Sequence, residues 1–160
     1  MKEYSPKSII EKLDLKPHPE GGHYKQVFKD SINVTAEDGT RRYRSALTDI
    51  YFLLAKGEIS SFHKVKQSEI WHFYSGAPLL LYDLTEDLQT LAIVELGKDL
   101  NFKHTVKANH FQAALSTGDY SLVGCSVAPG FEFDDFSFLK DDSDLAELAG
   151  KRYPDLKYLL

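Results

Sequence analysis

GEISSFHKVKQSEIWHFYSG, residues 57–76, decides how this chain reads. It divides into two strand-forming runs, Glu58 to Val65 and Glu69 to Tyr74. The polar turn Lys66-Gln67-Ser68 separates them, and the breakers Gly76-Ala77-Pro78 close the second. Side chains two apart on a strand share a face. His63 and Val65 therefore point one way on the first run, and Glu69, Trp71 and Phe73 point one way on the second. If the two runs pair, an imidazole and a carboxylate converge on one concave wall beside an indole.

Outward from this stretch the pattern stays β-rich. From Ala46 to Phe138 short apolar or alternating runs recur between breakers such as Gly57, Gly97, Asn109, Gly118 and Gly130, the pattern of an all-β barrel or sandwich. Towards the start, Ser5-Pro6 followed by Ile9, Ile10 and Leu13 predicts a short capped helix. Lys16-Pro17-His18-Pro19 then forces an extended path, and Gly21-Gly22 permits a tight bend before a strand over His23 to Phe28. Lys29 to Tyr43 reads as an exposed loop with a turn at Asp38-Gly39, followed by Arg41, Arg42 and Arg44 as candidate ligand contacts. At the far end Ser143 is a candidate cap for a helix over Asp144 to Ala149, Gly150 a stop, and Pro154 the start of a final turn.

A chain of 160 residues is long enough for one domain with a real core. Its apolar fraction of 42% and charged fraction of 27% are those of an ordinary globular protein. The net charge of −5 is spread along the chain without a basic face, which argues against nucleic acid. No apolar run reaches membrane-spanning length and MKEYSPKSIIEKL lacks a signal-peptide core, so no membrane partner and cytoplasmic residence are expected. Cys125 is the only cysteine and reads as a small buried hydrophobe in an apolar strand.

The spacing of Gly57, His63, Glu69 and Gly76 resembles the first motif of the cupin superfamily, in which two histidines one residue apart and a glutamate commonly bind a metal. Val65 stands here in place of the second histidine. PHPEGG at 17–22, Thr48 to Leu54, EIWHFY at 69–74 and VAPGF at 127–131 together resemble a cupin family that carries the PHPEGG and VAPGF signatures. The resemblance implies an all-β cupin double-stranded β-helix, a jelly-roll barrel with short N- and C-terminal helices, as a single cupin domain over 1–160. It also implies a homodimer. The second cupin motif aligns on Asn101 to Gln112, with Asn109 replacing a glycine and Gln112 replacing the histidine ligand.

Only His63 and Glu69 remain as strong metal donors, with Gln112 as a weak third, and three good donors are the usual minimum. No cofactor is therefore expected. A divalent metal, if bound, falls to His63, Glu69 and Gln112, with His110 able to complete the set by strand parity. The expected partner is a small molecule held by His63, Glu69, Trp71, Phe73, Gln112 and Tyr51. His63 and Glu69 are the candidate catalytic pair, since a carboxylate beside an imidazole makes a general base. A metal-independent sugar-nucleotide epimerase or isomerase using His63, with Glu69 or Asp83 and a tyrosine such as Tyr51 or Tyr74, is the alternative. Metal-dependent oxygenase or isomerase chemistry is the second alternative. His18 reads as a loop residue bonded to backbone, and His23 and His104 as surface side chains. No nucleophile elbow, phosphate loop or dinucleotide fingerprint occurs.

Overall fold

The computed structural model describes residues 4–35 and 43–160. Helix α1 (Pro6–Leu13) starts where the sequence predicts: the Ser5 hydroxyl accepts the Ser8 N–H, and proline occupies the first turn. The strands follow as β1 (Lys16–Pro17), β2 (His23–Lys29), β3 (Asn33–Thr35), β4 (Tyr43–Ser45), β5 (Thr48–Ala55), β6 (Ile59–Val65) and β7 (Ser68–Gly76). After them come β8 (Leu79–Leu84), β9 (Leu91–Leu96), β10 (Lys103–Val106), β11 (Phe111–Ser116), β12 (Tyr120–Ala128) and β13 (Phe136–Phe138). Helix α2 (Ser143–Arg152) and a 3-10 turn over Pro154–Leu159 close the chain.

Two antiparallel sheets make a jelly-roll sandwich. One runs β1-β2-β5-β12-β7-β10 and the other β13-β6-β11-β8-β9; β3 and β4 form a separate hairpin. That hairpin replaces part of the loop expected over 29–43, and the Asp38-Gly39 turn, Arg41 and Arg42 lie outside the described residues. Between the sheets, Phe52, Trp71, Val123 and Cys125 of one pack on Leu79, Leu81, Leu96 and Ala114 of the other. The outer faces are covered as well. Ile9 of α1 packs with Leu15 and Leu53 outside the larger sheet, while Leu139, Ala149 and Leu159 cover Phe62, Leu84 and Phe111 outside the smaller one. Burying both faces removes water from apolar surface on each side of the sandwich, about 25 cal/mol for every Å².

The structure corrects two expectations here. The strands carrying His63 and Glu69 do not pair. β6 bonds to β11 and β13, β7 bonds to β12 and β10, and the turn at Lys66-Gln67 carries the chain from one sheet to the other. Gln67 is buried in that crossing, where its amide donates to Asp135 (3.0 Å). At the far end Asp142 rather than Ser143 caps α2 by accepting the Leu145 N–H, and Gly150 lies inside the helix, which continues to Arg152.

Candidate functional site

The segment 17–22 folds back on itself and is tied to β6. The His18 N–H donates to the Gly22 carbonyl and the Gly21 N–H to the His18 carbonyl (both 3.0 Å), while the Glu20 carbonyl accepts the Ser61 N–H of β6 (2.9 Å). Gly21 has φ +112°, and a Cβ there would sit 1.9 Å from the Ile59 carbonyl oxygen. Only glycine permits that approach and that backbone angle. The result is that Glu20 points inwards, with Oε1 accepting the Ser60 hydroxyl (2.9 Å) and Oε2 lying 3.0 Å from His63 Nε2 and 3.5 Å from His18 Nδ1.

His63 is 2% exposed, and its Nδ1 lies 2.8 Å from the Ser61 carbonyl. A carbonyl only accepts, so Nδ1 carries a proton and Nε2 is the nitrogen left to face Glu20 and Gln112. Gln112 is oriented by the same reasoning. The Trp71 indole N–H can only donate, and it donates to Gln112 Oε1 (2.9 Å). The amide nitrogen must then face the other way, where it bonds Glu69 Oε2 and lies 3.1 Å from His63 Nε2. His63 and Glu69 thus meet across the gap between the sheets, with the Gln112 amide between them.

These groups line a cavity of about 220 Å³. His18, Glu20, His63, Glu69 and Cys125 supply its polar floor, and Tyr24, Phe52, Phe131, Phe133 and Phe136 its aromatic walls. Both site imidazoles are covered by phenylalanines of the segment 131–138. Phe136 stacks on His63 with centroids 5.0 Å apart, and Phe133 stacks on His18 at 5.8 Å. Between those two rings in sequence, buried Asp135 accepts from Arg44 Nη2 (2.8 Å) and from Gln67 (3.0 Å), pinning the segment over the cavity.

Burial sets the protonation of the floor. It pushes the Glu20 carboxyl up, against the pull of His18 and the Ser60 bond, and pushes Glu69 up against the Gln112 bond. Burial pulls His18 down, opposed by Glu20, and pulls His63 down, opposed by the Ser61 carbonyl. Burial, then Glu69, drives the Cys125 thiol well above its ordinary value, so this cysteine is no thiolate nucleophile. Glu20 Oε2 and Gln112 Nε2 both face the one His63 nitrogen that the Ser61 carbonyl leaves free.

Of the residues singled out in the sequence, His63 and Glu69 line the cavity, and Trp71 and Gln112 stand directly behind them. Phe73 packs in the core, its ring filling the space where a Cβ on Gly97 would go. Tyr51 corrects the expectation that it contacts a ligand: it lies on the outer face of the larger sheet, edge-on to Tyr74, packed with the cluster under α1. Asp83 does not serve His63. It binds His104 Nε2 (2.8 Å) and His110 Nδ1 (2.7 Å), which also removes His110 from the floor and makes His104 half-buried rather than a free surface group. His23 is half-buried too, 3.6 Å from Glu58. Arg44 is committed to Asp135. Glu20 and the inward role of His18 were not singled out in the sequence. The signal available was an acid set between proline and two glycines, a place where neither helix nor strand accounts for it.

A divalent metal, the group that the resemblance implies, does not fit these residues. Among the described residues no group of three or more histidine, cysteine, aspartate or glutamate side chains has metal-holding geometry. The Gln112 amide also directs N–H donors at the lone pairs of His63 and Glu69 that a cation needs.

Comparison with known proteins bears on the fold and the family. A family profile described as cupin superfamily, DUF985, matches residues 7–139. A hypothetical protein from Leishmania major superposes with a TM-score of 0.82 at 27% identity, over 98% of this chain and 96% of that one. A protein from Shewanella oneidensis superposes with a TM-score of 0.79 at 32% identity, over 98% and 95%. The capsular polysaccharide assembling protein CapF from Staphylococcus aureus, at 9% identity and a TM-score of 0.54 over 78% of this chain and 33% of that one, shares the fold alone. No curated protein matches.

Proposed function

The chain belongs to the DUF985 family of the cupin superfamily, and from that premise we propose that it is a small-molecule-binding cupin whose ligand occupies the cavity between Glu20, His63 and Glu69 without a metal. The observation that carries this reading is the fixed Gln112 amide: held by Trp71, it supplies from the protein the donors that link His63 and Glu69. A cavity with aromatic walls and a few convergent polar groups is the form a small-molecule site takes. The test is elemental analysis of protein purified without added metal, together with a thermal-shift screen of small ring compounds. Stoichiometric iron, manganese, nickel or zinc overturns the metal-free part. Ligand stabilisation that survives Phe136→Ala and His63→Gln unchanged overturns the placement.

A second reading, proton-transfer catalysis, is favoured by one further observation. The Ser61 carbonyl locks the His63 tautomer, so the Glu20–His63 pair can lend and reclaim one proton beside the cavity. The volume suits a compact carbonyl compound better than a whole sugar nucleotide, which needs phosphate partners that the cavity lining does not supply. Deuterium exchange into a panel of small ketones, lost in Glu20→Gln, supports this reading, and no exchange across the panel sinks it. Homodimerisation is part of the same proposal, supported by Ile70 and Tyr74, which stand exposed on the outer face of β7. Light scattering at micromolar concentration checks it. No helix among the described residues is long and apolar enough to cross a membrane.

A further inference from the structure

The cavity holds acids without a matching cation. Glu20 and Glu69 both line it and are each 8% exposed, and no lysine or arginine is among the described residues that line it. Glu20 at least meets two imidazoles. Glu69 is bonded by the Gln112 amide and the Cys125 thiol, both neutral. Burying a carboxylate with neutral partners alone is costly, and a cation brought beside it offsets that cost. Above this floor stand five aromatic rings, Tyr24, Phe52, Phe131, Phe133 and Phe136, whose faces carry partial negative charge. An anion entering here meets two acids, and a neutral molecule brings them no counter-charge.

We infer that the ligand is a compact organic cation, a protonated amine on a small apolar group, with its charge against Glu69 and Glu20 and its apolar part among the aromatic walls. The inference rests on the cavity being the small-molecule site. Its volume of about 220 Å³ exceeds the roughly 150 Å³ that admits a benzene ring, so a ring bearing an aminomethyl group fits.

The test is titration calorimetry of the full wild-type chain at neutral pH with benzylamine, benzyl alcohol and benzoate, three rings alike in shape and different in charge. The amine is expected to bind on the order of tenfold more tightly than the alcohol, and benzoate to give no measurable heat. Glu69→Gln is expected to weaken the amine more than the alcohol and so to remove the preference between them. The alcohol or benzoate binding as tightly as the amine overturns the charge assignment and leaves the cavity as a ligand site. No heat from any of the three overturns this inference and the ligand site together.

Discussion

Trp71 and Gln112 are joined by an indole N–H to amide oxygen bond of 2.9 Å between β7 of one sheet and β11 of the other. Because the indole can only donate, this bond decides which end of the amide faces His63 and Glu69. Trp71→Phe keeps a ring in the core but leaves Gln112 Oε1 buried without its donor. The expected loss of stability is roughly 2–4 kcal/mol, from the missing bond and the space opened by the smaller ring. Chemical denaturation measures it; a loss below about 0.5 kcal/mol would mean that the amide is not held this way.

Gln112→His tests the metal argument from the opposite side. The substitution puts a lone-pair donor where an N–H donor now sits, between His63 and Glu69. Three good donors then surround one point, which is the usual minimum for retaining zinc. The variant is expected to hold about one equivalent of zinc through dialysis and the wild type none, as read by elemental analysis. Equal zinc in both, whether full or absent, refutes the role given to Gln112.

How far these relationships could be read from the sequence depended on local regularity. The facing of His63 and Glu69 followed from strand parity, because β6 and β7 are regular strands. Parity gives the face of a side chain but not the sheet it belongs to, so the crossing at Lys66-Gln67 was invisible and the two strands read as neighbours. Tyr51 was misplaced for a different reason. TDIYFLLA is apolar almost throughout because its strand is covered inside by the core and outside by α1, and a strand buried on both faces loses its alternation. Glu20 and His18 sit in an irregular crossing where no period exists to assign a direction, and only the contact of Gly21 with the Ile59 carbonyl shows why the segment runs where it does.

Asp135 lies between Phe133 and Phe136 in sequence, so the pair it makes with Arg44 holds the two rings that cover the site imidazoles. Both partners are almost fully buried. Removing one member of such a pair costs more than forming it contributes, because the other charge stays desolvated. Asp135→Ala is expected to lose roughly 3 kcal/mol and to speed hydrogen exchange over 131–138 more than in β8 or β11. Exchange that rises uniformly along the chain would show a general loss of stability rather than a released cover.

The acids and imidazoles of the floor pull the stability of the protein in opposite directions with pH, and the sign can be worked out for each. Glu20 and Glu69 have carboxyls raised above the ordinary 4.5 by burial. Above pH 4.5 the unfolded chain gives up these protons while the folded one keeps them, so this contribution falls as pH rises towards the folded values. His18 and His63 lie below the ordinary 6.5 for the same reason. As pH falls below 6.5 the unfolded chain takes up protons that the folded one refuses, so this contribution is lost on acidification and is complete above 6.5. Between these two ordinary values the slopes oppose each other. Glu69→Gln removes one falling contribution and leaves both rising ones. Its stability, measured by denaturant unfolding from pH 4.5 to 6.5, is expected to climb more steeply than that of the wild type. A shallower climb would mean that Glu69 is ionised in the folded protein, with a counter-charge beside it.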